Sequence, residues 1–399
     1  MNVKWEQRKL GDVVNFFSGL TYHPSDVKNK GYFVIRSSNI QNNQIVSADD
    51  IFVNKDIINV PNVKQGDIIV VVRNGSRKLI GKHAQVLTDM PNTVIGAFMT
   101  GVRSKSNFYI NALLDSDQFQ KEIYKNLGAT INQITIGEFR KMRFIITSGN
   151  EAQTIGEFFK KIDTLITLQQ RKLEQLKQLK KAMLQQLFVS KNSKQPVLRF
   201  KNFDSDWRQY SLKDISAKTY SGLSGKSKDD FGHGKARYIT YLNVHNNEVA
   251  VSDGVEQIEV DSKQNKVLKG DLLFTISSEV PSEVALNSVW PFEAGKDIYL
   301  NSFCFGIRPK SNYINSFFLT YCLRSPQMRK LIYPLAQGIS RFNISKQSIL
   351  ALKINIPVLP EQINIYKVLM HIDNLITLRQ NKLTQLTTLK KYLLQNLFI

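Results

Sequence analysis

The chain contains one helical segment twice, once near its middle and once at the end of the sequence. Residues 151–188 align without a gap with residues 361–398, at an offset of 210, and 20 of the 38 aligned positions are identical. Chance does not produce such a match, and a repeat with this period makes each half of the chain one structural unit. The sequence therefore predicts a duplicated architecture.

Shorter motifs repeat in the remaining sequence, at offsets that drift from 202 to 210. They are Trp5-x-Gln7 with Trp207-x-Gln209, Ser18-Gly19-Leu20 with Ser221-Gly222-Leu223, Asn39-Ile40-Gln41-Asn42-Asn43 with Asn243-Val244-His245-Asn246-Asn247, and Gly66-Asp67-Ile68-Ile69 with Gly270-Asp271-Leu272-Leu273. The drifting offset indicates small loop insertions. The globular parts have diverged much further than the helical parts, which suggests two heads with different roles on a shared helical scaffold.

Both copies of the long segment have the apolar spacing of an amphipathic helix, with one buried stripe. Its members are Ile155, Phe159, Ile162, Ile166, Leu173, Leu176, Leu179, Met183 and Leu187 in the first copy, and Ile365, Leu369, Ile372, Ile376, Leu383, Leu386, Leu389, Leu393 and Leu397 in the second. A helix of this length reaches about 57 Å, longer than a globular domain needs. The natural partner of each helix is the other, and the order head, helix, head, helix predicts antiparallel packing about an approximate twofold axis.

These patterns divide the chain into five segments. The two heads are residues 1–150 and 207–360, the two long helices are residues 151–190 and 361–399, and a polar linker spans residues 191–206. Each head is large enough for its own core. Strand-like runs at 67–72, 144–147, 271–276 and 353–358 accompany helical stretches at 116–127 and 314–332. The predicted fold class is α+β: two mixed α/β heads separated by two long antiparallel helices.

The chain is strongly basic, since 54 Lys and Arg residues against 33 Asp and Glu residues give a formal net charge of +21. This charge favours a polyanionic partner. A membrane surface is the competing partner, but no apolar run approaches the roughly 18 residues of a spanning helix, and the N-terminal sequence has no signal-peptide core. We therefore expect a cytoplasmic protein without a membrane partner. Cys304 and Cys322 form no CxxC pattern and predict neither a disulfide framework nor a zinc site.

Several motifs together resemble a known family. The first copy has a strand followed by a basic, glycine-containing loop, Gly66-Asp67-Ile68-Ile69-Val70-Val71-Val72-Arg73-Asn74-Gly75. The second has Gly338-Ile339-Ser340-Arg341-Phe342-Asn343-Ile344 and the helix entry Pro357-Val358-Leu359-Pro360-Glu361-Gln362. With the helix motifs Ile-Asp-x-Leu-Ile-Thr-Leu and Leu-Lys-Lys-x-Leu-Leu-Gln, essentially the whole chain resembles the specificity subunit of type I restriction–modification systems. In that family two target-recognition domains alternate with two conserved helical regions.

The resemblance implies a non-catalytic subunit that recognises a bipartite, asymmetric sequence on double-stranded DNA. It also implies that two methyltransferase (modification) subunits dock near the long helices and bring restriction/translocase subunits with them. ATP, Mg²⁺ and S-adenosylmethionine would belong to those partners, and this chain would hold no cofactor. Exposed helix positions such as Gln169, Gln170, Arg379 and Gln380 are the candidates for docking.

The two copies depart from the family pattern at different places. The first has Thr147-Ser148-Gly149-Asn150-Glu151 instead of the proline-framed helix entry, and Ile131 where the second copy has Arg341. In the second, the strand at 272–276 continues into Ser277-Ser278-Glu279 with no arginine. The fold tolerates such changes.

Basic and polar clusters in both heads are the candidate DNA contacts, because Arg and Lys bind phosphates while Arg, Asn, Gln, Ser and Thr contact base edges. In the first head the candidates are Arg73, Asn74, Ser76, Arg77, Lys78 and Lys82, with His83 beside them. In the second head they are Tyr220, Ser224, Lys226, Ser227, Lys228, Arg237, Tyr241 and Arg341. Any one of these residues taken singly can be a solvated surface charge, so the prediction rests on the clusters.

Catalytic motifs are incomplete. Gly222-Leu223-Ser224-Gly225-Lys226-Ser227 resembles a phosphate loop, but Tyr220 stands where the pattern needs Gly, and the first copy has no lysine there. The sequence contains no Pro-Pro pair for a DNA methyltransferase loop and no hydrolase motif.

Two alternatives from other classes stay open. One is a coiled-coil adaptor that binds an anionic lipid or protein without sequence specificity. The other is an ATPase whose activity depends on Lys226.

Overall fold

The chain divides into two units, each of which contains residues from both halves of the sequence. The computed structural model describes residues 5–127, 132–190, 193–293, 297–310 and 312–398. Unit 1 comprises residues 1–171 together with 379–399, and unit 2 comprises residues 172–378. Each unit therefore combines one head with a part of both long helices. Ile131 and part of the predicted linker lie outside the described residues.

Unit 1 is built mainly from short strands, with short helices before the long helix. The strands are β1 (Glu6–Lys9), β2 (Asn15–Ser18), β3 (Val27–Lys28), β4 (Tyr32–Ile35), β5 (Ile40–Gln41), β6 (Gln44–Ile45), β7 (Ile51–Val53), β8 (Ile68–Val71), β9 (His83–Gln85), β10 (Thr93–Ile95), β11 (Met99–Arg103) and β12 (Arg143–Ile146). The helices are α1 (Asn107–Leu114), α2 (Asp117–Asn126), α3 (Ile136–Lys141) and α4 (Gly149–Gln186), which continues into unit 2.

Two four-stranded sheets organise unit 1. One has the order β2-β11-β8-β9 and is antiparallel throughout. The other has the order β10-β4-β7-β3, in which β10 and β4 are parallel. Strand β8 consists of four buried apolar residues, as expected for an inner strand covered on both faces. The strand predicted at 67–72 is confirmed, as is the one predicted at 144–147.

Unit 2 repeats this architecture. Its strands are β13 (Arg208–Ser211), β14 (Ser216–Ser221), β15 (Phe231–Ile239), β16 (Val255–Ile258), β17 (Leu272–Thr275), β18 (Ser277–Ser278), β19 (Asn287–Val289), β20 (Ile298–Leu300), β21 (Cys304–Pro309), β22 (Phe342–Asn343) and β23 (Lys353–Ile356). Its helices are α5 (Tyr241–Asn246), α6 (Ser316–Arg324), α7 (Pro326–Ile332), α8 (Lys346–Leu350) and α9 (Leu359–Leu397), which continues into unit 1. The antiparallel sheet β14-β21-β17-β19 corresponds to β2-β11-β8-β9, and β16-β15-β20 again contains one parallel pair.

The long helices pack against each other in opposite directions within each unit. In unit 1 Lys390 Nζ lies 2.6 Å from Asp163 Oδ1, and Arg379 Nη1 donates to Gln169 Oε1 at 3.0 Å. In unit 2 Lys180 Nζ lies 2.6 Å from Asp373 Oδ1. Contacts that advance along α4 while they retreat along α9 are those of an antiparallel pair, so the predicted fold class is confirmed.

The ends of the long helices are built into the cores of the heads. In unit 1, Phe159 at the start of α4 and Leu394 near the end of α9 share one apolar cluster with Phe119 and Phe144. In unit 2, Leu369 in the first half of α9 shares a cluster with Phe318, and Met183 near the end of α4 packs against that cluster. Each head is therefore anchored to both helices by apolar burial, the main driving force for folding.

The repeated Trp-x-Gln motif has a structural role at the start of each long helix. Trp5 Nε1 donates to Glu151 Oε1 at 3.3 Å, and Trp207 Nε1 donates to Glu361 Oε1, also at 3.3 Å. Both glutamates lie in the first turn of their helix, where a carboxylate also interacts favourably with the helix dipole.

Two stripe residues do not lie in the core, contrary to the prediction. Leu179 and Leu389 are 43% and 47% exposed. They occupy equivalent positions in the two copies. The apolar period identifies the two helices correctly but does not distinguish a leucine buried between them from one on the free face.

Candidate nucleic-acid interface

The candidate DNA contacts of unit 1 lie on one segment, between the end of β8 and the start of β9. Most are exposed and two are half-buried, the full set being Arg73, Asn74, Ser76, Arg77, Lys78 and Lys82. The chain leaves the sheet where the N–H of Val72 donates to the carbonyl oxygen of Phe98 at 3.0 Å. A short 3-10 turn at Arg77–Leu79 then turns the segment back toward β9. The structure thus brings all six residues together.

Side-chain hydrogen bonds brace this segment. Asn74 Nδ2 donates to Ser37 Oγ at 3.2 Å, and Asn74 Oδ1 accepts from the N–H of Ser76 at 3.0 Å. Asn132 Nδ2 donates to the carbonyl oxygen of Gly75 at 3.0 Å. The Asn74 amide is therefore engaged in holding the loop, while the neighbouring cations project into solvent.

Arg73 is held over an exposed aromatic ring. Its Cζ atom lies 5.0 Å from the centroid of the Phe98 ring, and Phe98 is 53% exposed. Stacking on a ring leaves the in-plane N–H donors of a guanidinium available to an acceptor. The arrangement can therefore present an oriented set of donors to a base edge or a phosphate.

His83 does not belong to this interface. It is buried in β9, with Nε2 3.3 Å from Asp115 Oδ1. Burial alone would lower the pKa of His83, but the facing Asp115 carboxylate raises that pKa above its ordinary value. His83 is therefore part of the attachment of the head to α9, which supplies Lys390 to the same aspartate at 2.6 Å.

Tyr220 is a core residue and we remove it from the candidate contacts. It is 3% exposed, and its ring lies against Gly306, where an added Cβ atom would come within 2.1 Å of the ring. Its hydroxyl donates to Asp271 Oδ2 at 2.7 Å. Burial and the adjacent Asp271 charge raise the pKa of Tyr220 well above its usual value. The equivalent residue of the first copy is Phe17, whose ring lies against Gly101 in the same way.

Lys226 is largely neutralised within unit 2. Its Nζ lies 3.0 Å from Asp261 Oδ2 and 3.4 Å from Asp230 Oδ1. The hydrogen bond to Asp261 raises the pKa of Lys226, so the lysine stays charged and paired. Its neighbours Ser224, Ser227 and Lys228 are exposed. Two acids beside a lysine also oppose a phosphate loop, which needs an unpaired cation.

Tyr241 and Arg341 meet at Ser277, whereas Arg237 lies elsewhere. Tyr241 donates its hydroxyl proton to the carbonyl oxygen of Ser277 at 2.6 Å, and Arg341 Nη2 donates to Ser277 Oγ at 3.1 Å. Burial raises the pKa of Tyr241, so the hydroxyl remains a donor. Arg237 lies half-buried in β15, in the separate sheet of unit 2. The second set of candidates is therefore not one cluster.

Arg341 also stacks on an exposed phenylalanine. Its Cζ atom lies 4.9 Å from the centroid of the Phe303 ring, and Phe303 is 51% exposed. The sequence prediction missed both Phe98 and Phe303, because a phenylalanine next to a strand usually indicates core. The sequence signal that could have identified them is their equivalence in the repeat, since Phe98 immediately precedes β11 and Phe303 immediately precedes β21.

The long helices expose apolar side chains outside the heads. Of the four predicted docking positions, only Gln380 is exposed. Gln169 is 8% exposed and accepts a hydrogen bond from Arg379. Arg379 and Gln170 are half-buried. The exposed apolar residues are Phe158, Leu165, Leu168 and Leu179 on α4 and Leu378, Leu389 and Tyr392 on α9. Leu168 with Leu378, and Leu179 with Leu389, are equivalent in the repeat.

Other chemistries find little support in the described part of the chain. No group of three or more His, Cys, Asp or Glu side chains there could hold a metal ion. Over the same residues, no helix is long and apolar enough to span a membrane. Cys304 and Cys322 are free and buried, and burial raises the pKa of Cys322 to about 12, so neither is a reactive thiolate.

Comparison with known proteins identifies similar sequences and folds. The family model of the type I restriction modification DNA specificity domain matches residues 2–178 and again residues 204–388. The StySPI specificity subunit of Salmonella potsdam, a type I restriction enzyme subunit, is 26% identical over 99% of this chain and 88% of its own length. The MjaVIII specificity subunit of Methanocaldococcus jannaschii is 23% identical over 97% of this chain and 90% of its own length. The crystal structure of the type I restriction–modification S subunit from M. genitalium has a similar fold, with a TM-score of 0.65 at 16% identity over 100% of this chain and 97% of that one.

Proposed function

Because the chain belongs to the type I restriction modification DNA specificity family, matched in two copies over most of its length, we infer that it is the sequence-recognising subunit of a restriction–modification complex. It is a non-catalytic subunit. The basic loop of unit 1 and the stacked arginines Arg73 and Arg341 supply the chemistry that DNA recognition needs: cations for phosphates and an oriented guanidinium for base edges.

We propose further that the DNA target is bipartite and asymmetric. The supporting observation is that the two units share one fold but expose different residues at the same place. Unit 1 has Arg73 just after its inner strand, whereas unit 2 has Ser277 there and receives Arg341 from the segment before β22. Two heads with one fold and different surfaces can recognise two different short sequences.

Methylome sequencing of host DNA, with and without the gene, tests this function. We expect a split motif of two unequal halves that disappears with the gene. Replacing residues of one head should then change one half of the motif and leave the other half unchanged. A single undivided motif would contradict the proposal, and so would the absence of any motif.

We propose that the methyltransferase subunits dock on the exposed apolar face of the long helices. Leu179 and Leu389 support this, because equivalent leucines left exposed in both copies are suited to two equivalent partners. Restriction/translocase subunits would join through those partners. Substituting Leu389→Glu should weaken binding of the modification subunit by at least tenfold, whereas the adjacent exposed Thr388→Glu should not. Equal binding of both variants would exclude this face.

ATP, Mg²⁺ and S-adenosylmethionine are proposed to bind the partners only. The isolated chain should give no heat of S-adenosylmethionine binding in calorimetry and no ATP hydrolysis. The adaptor alternative predicts salt-sensitive binding to anionic vesicles with no preference among DNA duplexes. Competition binding with duplexes of different sequence, at one fixed salt concentration, separates that alternative from the proposed function.

A further inference from the structure

Each head contains an arginine–phenylalanine pair, and the arginine comes from a different segment in each head. In unit 1 the N–H of Val72 donates to the carbonyl oxygen of Phe98 at 3.0 Å, and Val72 in turn accepts from the N–H of Ile134 at 2.9 Å. In unit 2 the same two bonds join Ile276 with Phe303 at 2.9 Å and Ile344 with Ile276 at 3.0 Å. The backbone around the two phenylalanines is therefore equivalent.

The arginine that covers each ring has a different origin. Arg73 follows the inner strand of unit 1, and its equivalent in unit 2 is Ser277. Arg341 belongs to the segment before β22, and its equivalent in the first copy is Ile131. Yet the Cζ atoms lie 5.0 Å and 4.9 Å from the respective rings. One guanidinium per head thus lies at nearly the same distance from the equivalent ring, although neither arginine position is shared.

A role in stabilising the fold does not explain why both heads stack an arginine on the equivalent phenylalanine. Both rings are about half exposed, so an arginine there closes no core. An exposed cation–π contact stabilises by only about 0.5–1 kcal/mol, little for the fold. For recognition its effect is larger, because a stacked guanidinium has already lost side-chain freedom and keeps a fixed plane of donors. Arginine with that geometry is the usual partner of O6 and N7 of guanine.

We propose that Arg73 and Arg341 each contact one guanine in their own half of the target, and that Phe98 and Phe303 are positioning residues for them. This inference rests on the proposed function, sequence-specific DNA recognition. Each half-site of the target would then contain one guanine that is contacted by the stacked arginine of the corresponding head.

The decisive variant moves the arginine within unit 2. Arg341→Ile removes the guanidinium, and the double variant Ser277→Arg with Arg341→Ile gives unit 2 the arrangement of unit 1. Lys330→Ile, an exposed charge loss on α7, is the matched control. Each variant is assembled with its modification subunits and measured against duplexes in which every base pair of the wild-type motif is changed in turn. Thermal unfolding of each complex verifies folding.

Arg341→Ile should reduce discrimination at one G·C pair of one half-site by roughly tenfold or more, and the double variant should restore most of it. Phe303→Leu should reduce discrimination at that same pair by less, and Phe303→Tyr, which keeps a ring face, should retain it. Arg73→Ser should affect one G·C pair in the other half only. Lys330→Ile should leave the discrimination pattern unchanged.

The inference is overturned if Arg341→Ile lowers affinity uniformly across all duplexes, because that is the signature of a phosphate contact. It is also overturned if the double variant behaves as the single one does. A wild-type complex without any sequence preference would instead refute the proposed function itself, so the two failures are distinguishable.

Discussion

Lys390 joins the first head to the helix pair, and its removal should destabilise unit 1 markedly. Its Nζ lies 2.6 Å from both Asp115 Oδ2 and Asp163 Oδ1, and its side chain is 11% exposed. Burial alone would lower the pKa of Lys390, but the charges of the two aspartates raise it. Lys390→Ala therefore removes the cation between two facing carboxylates, of which Asp115 keeps His83 as a partner, with Nε2 3.3 Å from its Oδ1.

The magnitude follows from burial. Removing one partner from a buried ion pair costs about 3–5 kcal/mol. The Asp163 side chain is 36% exposed, so solvent screens part of the loss, and the lower end, about 3 kcal/mol, is expected. For a unit of this size that corresponds to a fall of roughly 6–12 °C in melting temperature. The adjacent exposed Lys391→Ala should change stability by less than about 0.5 kcal/mol.

Peptide-resolved hydrogen–deuterium exchange is the suitable assay, because it reports on unit 1 separately. Core peptides of unit 1 should lose about 100-fold in protection in Lys390→Ala, and those of unit 2 should change little. The cost should be smaller at about pH 5 than at pH 7, because burial already raises the pKa of Asp163 and protonation relieves the repulsion. Equal protection in Lys390→Ala and Lys391→Ala would refute the argument.

Other substitutions test the remaining assignments. Tyr220→Phe removes one buried hydrogen bond to Asp271 and should cost about 1–2 kcal/mol in chemical denaturation without changing the methylated motif, whereas an altered motif would return Tyr220 to the DNA contacts. His83 has a raised pKa in the folded protein, so its stabilisation is complete below its ordinary pKa of 6.5 and is lost as pH rises through the raised pKa. The stability difference from His83→Gln should therefore shrink as pH rises above 6.5, and a difference that does not vary with pH would contradict this. Lys226→Ala should weaken DNA binding less than about threefold, because Asp230 and Asp261 already pair with the lysine; a tenfold loss in a salt titration would count against that pairing.

The sequence predicts the duplicated scaffold well because its signal is local. The long helices begin at Gly149 and Leu359, two residues before the predicted positions 151 and 361, and end at Gln186 and Leu397. The 3.6-residue period and the repeat offset depend only on neighbouring residues. Which leucine faces a partner is decided in three dimensions, so the exposure of Leu179 could not be predicted.

The candidate site was only partly predictable for the same reason. The loop after β8 follows its strand directly in sequence, and all six of its predicted residues lie together. In unit 2, Asp261, which pairs with Lys226, and the residues that bury Tyr220 come from distant segments. Tyr220 carried one usable warning, since its equivalent in the first copy is the apolar Phe17. Because Phe17 has no hydroxyl group, the shared requirement at this position is an aromatic ring, which indicates packing and not a contact with a base.

The ion pairs at the helices explain how the heads could diverge while the scaffold did not. Lys390 and Lys180 are equivalent in the repeat, and each pairs with the equivalent aspartate of the other helix, Asp163 or Asp373. The second acid comes from the head and differs: Asp115, just after α1, in unit 1, but Glu248, just after α5, in unit 2. The helices thus require only that a head place one carboxylate at the lysine, not that it come from a particular strand or loop.

The same freedom applies to the arginines, because the phenylalanine is fixed by the sheet while either neighbouring segment can supply the guanidinium. A head can therefore change most of its surface, and with it the DNA sequence it recognises, without losing its attachment.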